Sequence, residues 1–273
     1  LLAKLEFLNP GASKKDRVAL RMIEEAEESG ELRPGQHVVE LTSGNAGTGF
    51  AIVCAIKGYH FVAVMSKGNS AERRRMMAAL GAEVVLVDQM PGSPAGQVSG
   101  PDLDLVEQAT QRIVRERGAF RPDQFHRQSN FNAHYYGTGP EILRQAGGPI
   151  DGWCEFAGTA GTFAGVAERI KEANPAALCY VLEPAGAAVL AGHAITHANH
   201  PIQGGGYARA QLDMLRREHV DGYLQIEDEE AVEVTRRLAR EEALFCGFSS
   251  GANVAGALRM LAGPCAGGTV VTL

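Results

Sequence analysis

Short apolar runs alternate along the chain with longer stretches whose apolar positions recur every three or four residues. The runs fall at residues 37–41, 61–65, 83–87, 154–156, 179–182, 223–226 and 269–273, and most are rich in valine. Runs of this length and composition read as strands, and strands of a parallel sheet are buried on both faces. Between them, residues 14–28, 46–57, 71–80, 103–117, 132–145, 162–173, 229–242 and 250–261 carry helical periodicity. Strand and helix in alternation predict an α/β architecture of parallel or mostly parallel sheets with helices on both faces. A first strand is expected at residue 1 or nearly so, and the last at the end of the chain. Residues 90–101, rich in Gly, Pro and Ser, and residues 192–209, with three His and the run Gly204-Gly205-Gly206, lack periodicity and are expected to be loops.

Sheets of this kind bind ligands beyond the carboxyl ends of their strands, so the loops there hold the candidate chemistry. At the start of the chain, Pro10 and Gly11 interrupt a strand, and Ser13 with Asp16 three residues on makes a capping-box-like helix start. Lys15 shares a helical face with Val18, Ala19 and Met22, which predicts an inward side chain. Lys14 shares its face with Arg17 and Arg21, which predicts an outward one. An inward amine near a helix N-terminus is disfavoured as a cation by desolvation and by the helix dipole. That prepares it to attack an aldehyde. Two solvated lysines in a first turn are the plainer alternative.

Three more loops each open a helix. Thr42, Ser43, Gly44, Asn45, Ala46 and Gly47 set hydroxyls, an amide and backbone N–H groups at a helix N-terminus, a place for a carboxylate or a phosphate. Gly158, Thr159, Ala160, Gly161 and Thr162 are small residues that let N–H groups approach a phosphate closely. This loop lacks the Lys of a P-loop, so a single phosphate on a small cofactor suits it better than a nucleoside triphosphate. In residues 247–253, Ser249 is placed to point a hydroxyl into a cleft. Each loop taken alone also reads as a capped turn. His126 and His134 read as polar surface or cleft-lining residues rather than acid–base groups.

Net charge of −6 leaves no basic footprint for nucleic acid. No apolar run reaches the ~20 residues of a membrane span, and the first residues lack a signal-peptide pattern. A cytoplasmic protein with neither membrane nor nucleic-acid partner is expected. The five cysteines form no CxxC unit and read as reduced thiols. No His, Cys or Asp cluster has metal-ligand spacing, so no metal is expected.

Taken together, these loops resemble the cysteine synthase and cystathionine β-synthase family, fold type II of the pyridoxal 5′-phosphate enzymes, almost end to end. The family's Asn, three residues, Ser, one residue, Lys matches Asn9, Ser13 and Lys15. Its Thr-Ser-Gly-Asn-Thr-Gly loop matches residues 42–47, and its Gly-Thr-Gly-Gly-Thr loop matches residues 158–162. Its Gly-x-Ser-x-Gly turn matches residues 247–251, and its Gln-Phe pair matches Gln124-Phe125. The resemblance implies a tryptophan synthase β-like fold, with residues 42–136 as a smaller domain and residues 1–41 plus 137–273 as a larger, cofactor-binding one. It implies Lys15 as the Schiff-base lysine and residues 158–162 as the cofactor's phosphate site. Ser249 falls on the pyridine nitrogen, and Asn45 lies near the ring oxygen. Thr42, Ser43, Gly44, Asn45 and Gln124 fall on the substrate carboxylate.

The activity implied is β-replacement on a small amino acid of the O-acetylserine, O-phosphoserine or serine type through an α-aminoacrylate, with a thiol or sulfide as second substrate. The same scaffold also supports β-elimination, as a dehydratase or as a desulfhydrase or β-lyase. A cofactor-free binding protein partnered by an acetyltransferase tail is the reading from another class. A homodimer and a serine acetyltransferase-type partner are implied by the family alone, as are further segments before residue 1 and after residue 273. Two departures bear on the site. Ala46 replaces a Thr, and Ala160 replaces a Gly, so the φ of residue 160 is expected to suit a residue with a Cβ.

Overall fold

The computed structural model describes residues 1–273 apart from Ser43, residues 94–97, residue 99, Asn199 and Gln203. The chain opens with β1 (Leu2–Ala3), which pairs with a strand at the far end of the sequence. Its residues form two compact units, Glu6–Ser129 and Leu1–Leu5 with Asn130–Leu273.

In the Glu6–Ser129 unit the order is α1 (Lys15–Ser29), β2 (His37–Leu41), α2 (Asn45–Lys57), β3 (His60–Ser66), α3 (Ala71–Ala79), β4 (Glu83–Val87) and α4 (Gly100–Arg117). The three strands pair in parallel in the order β2-β3-β4. The Phe120 backbone runs alongside β2, donating to His37 O and accepting from Val39 N. Helices on both faces of a parallel sheet explain why the middles of these strands are mostly apolar on alternate sides alike, Glu40 of β2 being the buried exception. Val39, Val62 and Val64 pack against Val106 and Ile113 of α4. The intervening Phe61 meets Phe50 of α2 with ring centroids 5.8 Å apart.

The second unit holds α5 (Ser129–Ala133), which starts at the boundary, a π-helical turn (His134–Thr138), α6 (Gly139–Ala146), β5 (Gly152–Phe156), α7 (Gly161–Ala173), β6 (Leu178–Pro184), β7 (Gly222–Ile226), α8 (Asp228–Glu241), α9 (Phe248–Ala262) and β8 (Val270–Thr272). Five parallel strands run in the order β1-β8-β5-β6-β7. One face buries Trp153, Cys179 and Val181 under Phe163, Val166 and Ile170 of α7. The other buries Cys154, Phe156 and Leu182 under Ala252, Ala255 and Met260 of α9. The protein thus has the expected α/β class, and the seven apolar runs are strands within two residues at each end. The first strand, by contrast, stops at Ala3 and gives way to a 3-10 turn at Glu6–Leu8 well before Pro10 and Gly11.

Two expectations need correction. The single helix expected over residues 132–145 is broken into α5, the π turn and α6. Pro140 has no N–H to donate, and Gly139 N–H reaches five residues back to His134 O. The units also divide differently from the expected 42–136 against 1–41 plus 137–273, because residues 6–41 go with the smaller sheet. β2 is itself a strand of that sheet. In addition, α1 lies so close to α2 that a Cβ on Gly49 would stand 2.9 Å from Lys15 O and 3.2 Å from Ala19 Cβ. Within the expected 90–101 loop, α4 already starts at Gly100, and residues 94–97 and 99 lie outside the described residues. The described part of 192–209 is irregular.

Candidate active site

The start of α1 is built by a back-folded segment. Lys15 N donates to Ser13 Oγ at 3.2 Å, and Gly11 N donates to the Asp16 carboxylate, closing the turn from both sides. Gly11 is required there, since a Cβ would fall 2.4 Å from Asp16 Oδ1. The inward–outward distinction between the lysines does not hold. Both side chains are half-buried, because the turn at Glu6–Leu8 covers the face assigned to Lys14, where Glu6 also pairs with Arg17 at 2.7 Å. Burial lowers the Lys15 amine to about 8. Lys14 is lowered well below the usual value, by burial first and then by the Lys15 charge, with Glu6 acting the other way. The structure therefore supplies two adjacent amines readied for nucleophilic attack.

In the same unit, the loop after β2 is shaped by Thr42, whose buried hydroxyl accepts from Gly47 N at 2.8 Å and Gly44 N at 3.2 Å. Thr42 thus holds the loop closed as well as facing it. Gly47 cannot carry a Cβ, which would meet Met77 Sδ at 2.3 Å and Thr42 Cγ2 at 2.5 Å. Asn45 is the exposed first residue of α2, beside N–H groups with no carbonyl inside the helix to receive them. Ala46 is buried. Ser43 lies outside the described residues. Gln124 is buried at the start of a turn.

The other unit holds the second group of residues. The loop from Ala157 into α7 places Gly158 where a Cβ would strike Gly204 O at 2.7 Å, so only glycine lets these two backbone segments close. Thr159 and Thr162 are buried and braced from beneath. Asn130 Nδ2 donates to Thr159 Oγ1 at 2.8 Å, and His134 Nε2 lies 3.1 Å from Thr162 Oγ1, its Nδ1 2.9 Å from Thr138 Oγ1. Gly161 presses on Asn130, where a Cβ would lie 2.4 Å from Oδ1. His134 is fully buried, so the surface reading fails for it. His126 is exposed and paired with Asp123, as a surface residue would be. Ala160 has φ +65°, the left-handed region. The expected relaxed φ is absent, and the loop keeps a conformation that glycine would adopt more cheaply.

Ser249 is half-buried in the first turn of α9. One turn on, Asn253 Oδ1 accepts from Phe156 N at 2.7 Å, stitching α9 to the end of β5 that leads into the 158–162 loop. Asn130, Asn253 and the bracing role of His134 were not predicted, and each has its partner far away in sequence.

The chemistry that each unit carries by itself suits pyridoxal 5′-phosphate. The Glu6–Ser129 unit has a lowered lysine amine of the kind an aldehyde takes. The other unit has a glycine-lined helix N-terminus suited to one phosphate and a neutral serine hydroxyl suited to a ring nitrogen. Burial pushes the Cys54, Cys154 and Cys179 thiols up to about 12, which disfavours their thiolates as nucleophiles.

Comparison with known proteins agrees. The pyridoxal-phosphate dependent enzyme family matches residues 1–273. A cysteine synthase of Staphylococcus aureus is 40% identical over 271 residues, 99% of this chain and 83% of the relative. An O-acetyl serine sulfhydrylase structure from Entamoeba histolytica superposes with a TM-score of 0.89 at 33% identity, covering 99% of this chain and 77% of that one. A hydrogen sulfide-producing enzyme from Fusobacterium nucleatum gives 0.88 at 34% identity, covering 99% and 85%. The chain belongs to the pyridoxal-phosphate dependent enzymes, in their fold type II and among the cysteine synthase-like proteins.

Proposed function

We propose that this enzyme performs β-replacement on an O-activated serine, O-acetylserine first among the candidates, with sulfide or a small thiol as the second substrate. The observation that carries the proposal is the Lys15 amine, lowered by burial to about 8 at the head of α1, in the position where the family carries its cofactor. Lys15 Nζ would hold the cofactor's aldehyde carbon, the Gly158, Thr159, Ala160, Gly161 and Thr162 loop its phosphate, Ser249 its ring nitrogen, and Asn45 its ring oxygen. When bound, pyridoxal phosphate supplies an electron sink at the substrate's Cα.

The chain's own residues do the rest. The first-turn N–H groups of α2, together with Thr42, Ser43, Gly44, Asn45 and Gln124, hold the substrate carboxylate. Lys15 Nζ, released once the substrate's own amine takes its place on the aldehyde carbon, would be the base that takes the proton from the substrate's Cα and returns it there as product forms. Burial, which lowers this amine, favours the neutral form that role needs. Ser249 would offer the ring nitrogen a neutral hydroxyl where a carboxylate would keep it protonated. A neutral partner there would make the sink shallower and favour loss of a β-substituent over reactions that need a long-lived carbanion.

The likeness to a hydrogen sulfide-producing enzyme supports a second reading, β-elimination on the same residues. Cysteine formed from O-acetylserine and sulfide, with little pyruvate, supports replacement. Pyruvate from cysteine or O-acetylserine at similar rates with and without sulfide overturns it in favour of elimination. The finer assignments follow the family: a homodimer, a serine acetyltransferase-type partner and a cytoplasmic location. No helix among the described residues is long and apolar enough to cross a membrane.

A further inference from the structure

Glu40 stands out in β2. Its neighbours along the strand are His37, Val38, Val39 and Leu41, and it is 1% exposed. A buried carboxyl on a valine-rich strand costs stability that an apolar residue would not, and the packing of the sheet does not call for one. Its contacts show what it does instead. Glu40 Oε2 accepts from Asp123 N at 2.6 Å. Asp123 sits in the left-handed region at φ +51°, and its carbonyl accepts from both His126 N and Arg127 N at 3.1 Å. Asp123 is therefore the pivot of the turn whose next residue is Gln124. From the other side, Arg121 is anchored by a two-pronged pair to Glu107, at 2.6 and 2.7 Å. Two residues beyond Glu40 in the chain, Thr42 begins the loop that closes over the first turn of α2.

We propose that Glu40 is a positioning residue for substrate binding. It clamps the strained turn carrying Gln124 to the strand that delivers Thr42, so that both arms of the carboxylate site are held in one arrangement. The proposal rests on the reading that Gln124 and the 42–47 loop bind the substrate carboxylate.

The test compares holoenzymes of wild type, Glu40→Ala, Glu40→Gln, Gln124→Ala and the double variant Glu40→Ala/Gln124→Ala, in turnover with O-acetylserine and sulfide. A hydrogen bond to a charged or buried partner is worth about a tenfold or greater change in binding. Glu40→Ala and Gln124→Ala should each raise the KM for O-acetylserine about tenfold or more, with kcat moving much less. Glu40→Gln, which keeps an oxygen for Asp123 N–H, should recover most of that loss. The double variant should cost clearly less than the product of the two single penalties, because Glu40 acts in part through the turn that carries Gln124. A raised KM in Gln124→Ala with none in Glu40→Ala, or penalties that multiply in the double variant, overturns the clamp and leaves the carboxylate reading intact. An unchanged KM in Gln124→Ala overturns both. Should Glu40→Ala fail to fold, Glu40→Asp shortens the arm by one methylene and must raise KM in the same way. An unchanged KM there contradicts the proposal.

Discussion

At the scale of single residues, the site keeps costs that a purely structural protein would shed. Ala160 is held at φ +65°, which costs an L-residue roughly 1–2 kcal/mol, offset in part by the greater chain entropy that glycine would lose. Ala160→Gly should therefore stabilise the protein by about 0.5–1 kcal/mol in urea unfolding. A loss of similar size would show that the methyl group is needed where it packs. Glu40 is the second case. Burial pushes its carboxyl up to about 8, against the pull of Arg121 and with Asp123 and Glu107 adding to the rise. A raised carboxyl contributes stability that is complete below its unfolded value near 4.5 and is lost as pH rises through about 8. Glu40→Gln should accordingly gain on wild type between pH 5 and 8.5. A difference that does not vary with pH would contradict the assignment. The family spacing from Asn9 and Ser13 singles out Lys15 in the sequence, while burial in the structure lowers Lys14 and Lys15 alike. The covering of Lys14 was not legible, because helical periodicity takes no account of the Glu6–Leu8 turn folded over the helix face. Glu40, Asn130 and Asn253 were equally hidden, since each acts on a partner between 29 and 97 residues away.

At the scale of elements, glycines fix how helices meet. Gly251 in the first turns of α9 leaves room for α8: a Cβ there would stand 2.1 Å from Thr235 Oγ1 and 2.2 Å from Ala231 O. Backbone cannot yield that much without moving the helix that carries Ser249. Gly251→Ala should destabilise by about 1–3 kcal/mol and weaken cofactor retention, measured as release on dialysis. Full retention with unchanged stability would mean that α8 and α9 separate freely. Strands were read well because runs of valine flanked by breakers have few other readings. The 132–145 stretch was misread because its periodicity is continuous across Pro140, while the backbone there widens into a π turn. That turn places His134 beneath Thr162. Gly165 lets α7 close on the same segment, a Cβ there being 2.7 Å from Phe131 O.

At the scale of the whole molecule, the α/β class was legible from the alternation of strands and helices, but the place where the chain divides was not. The resemblance implied residues 1–41 in the larger unit, whereas strand pairing and the contact of α1 with α2 at Gly49 put residues 6–41 in the smaller. Lys15 is thereby carried on the same body as the loop that opens α2, and its carbonyl lies against that helix. The central claim is that one lysine of this body holds the cofactor. Borohydride reduction of the holoenzyme followed by intact-mass measurement and fragment mapping tests it directly, because Lys14 and Lys15 are adjacent and both lowered. One reduced cofactor per chain, located on Lys15 and lost in Lys15→Ala, is the expected result. A cofactor on Lys14 or elsewhere, or none at all, would contradict the account.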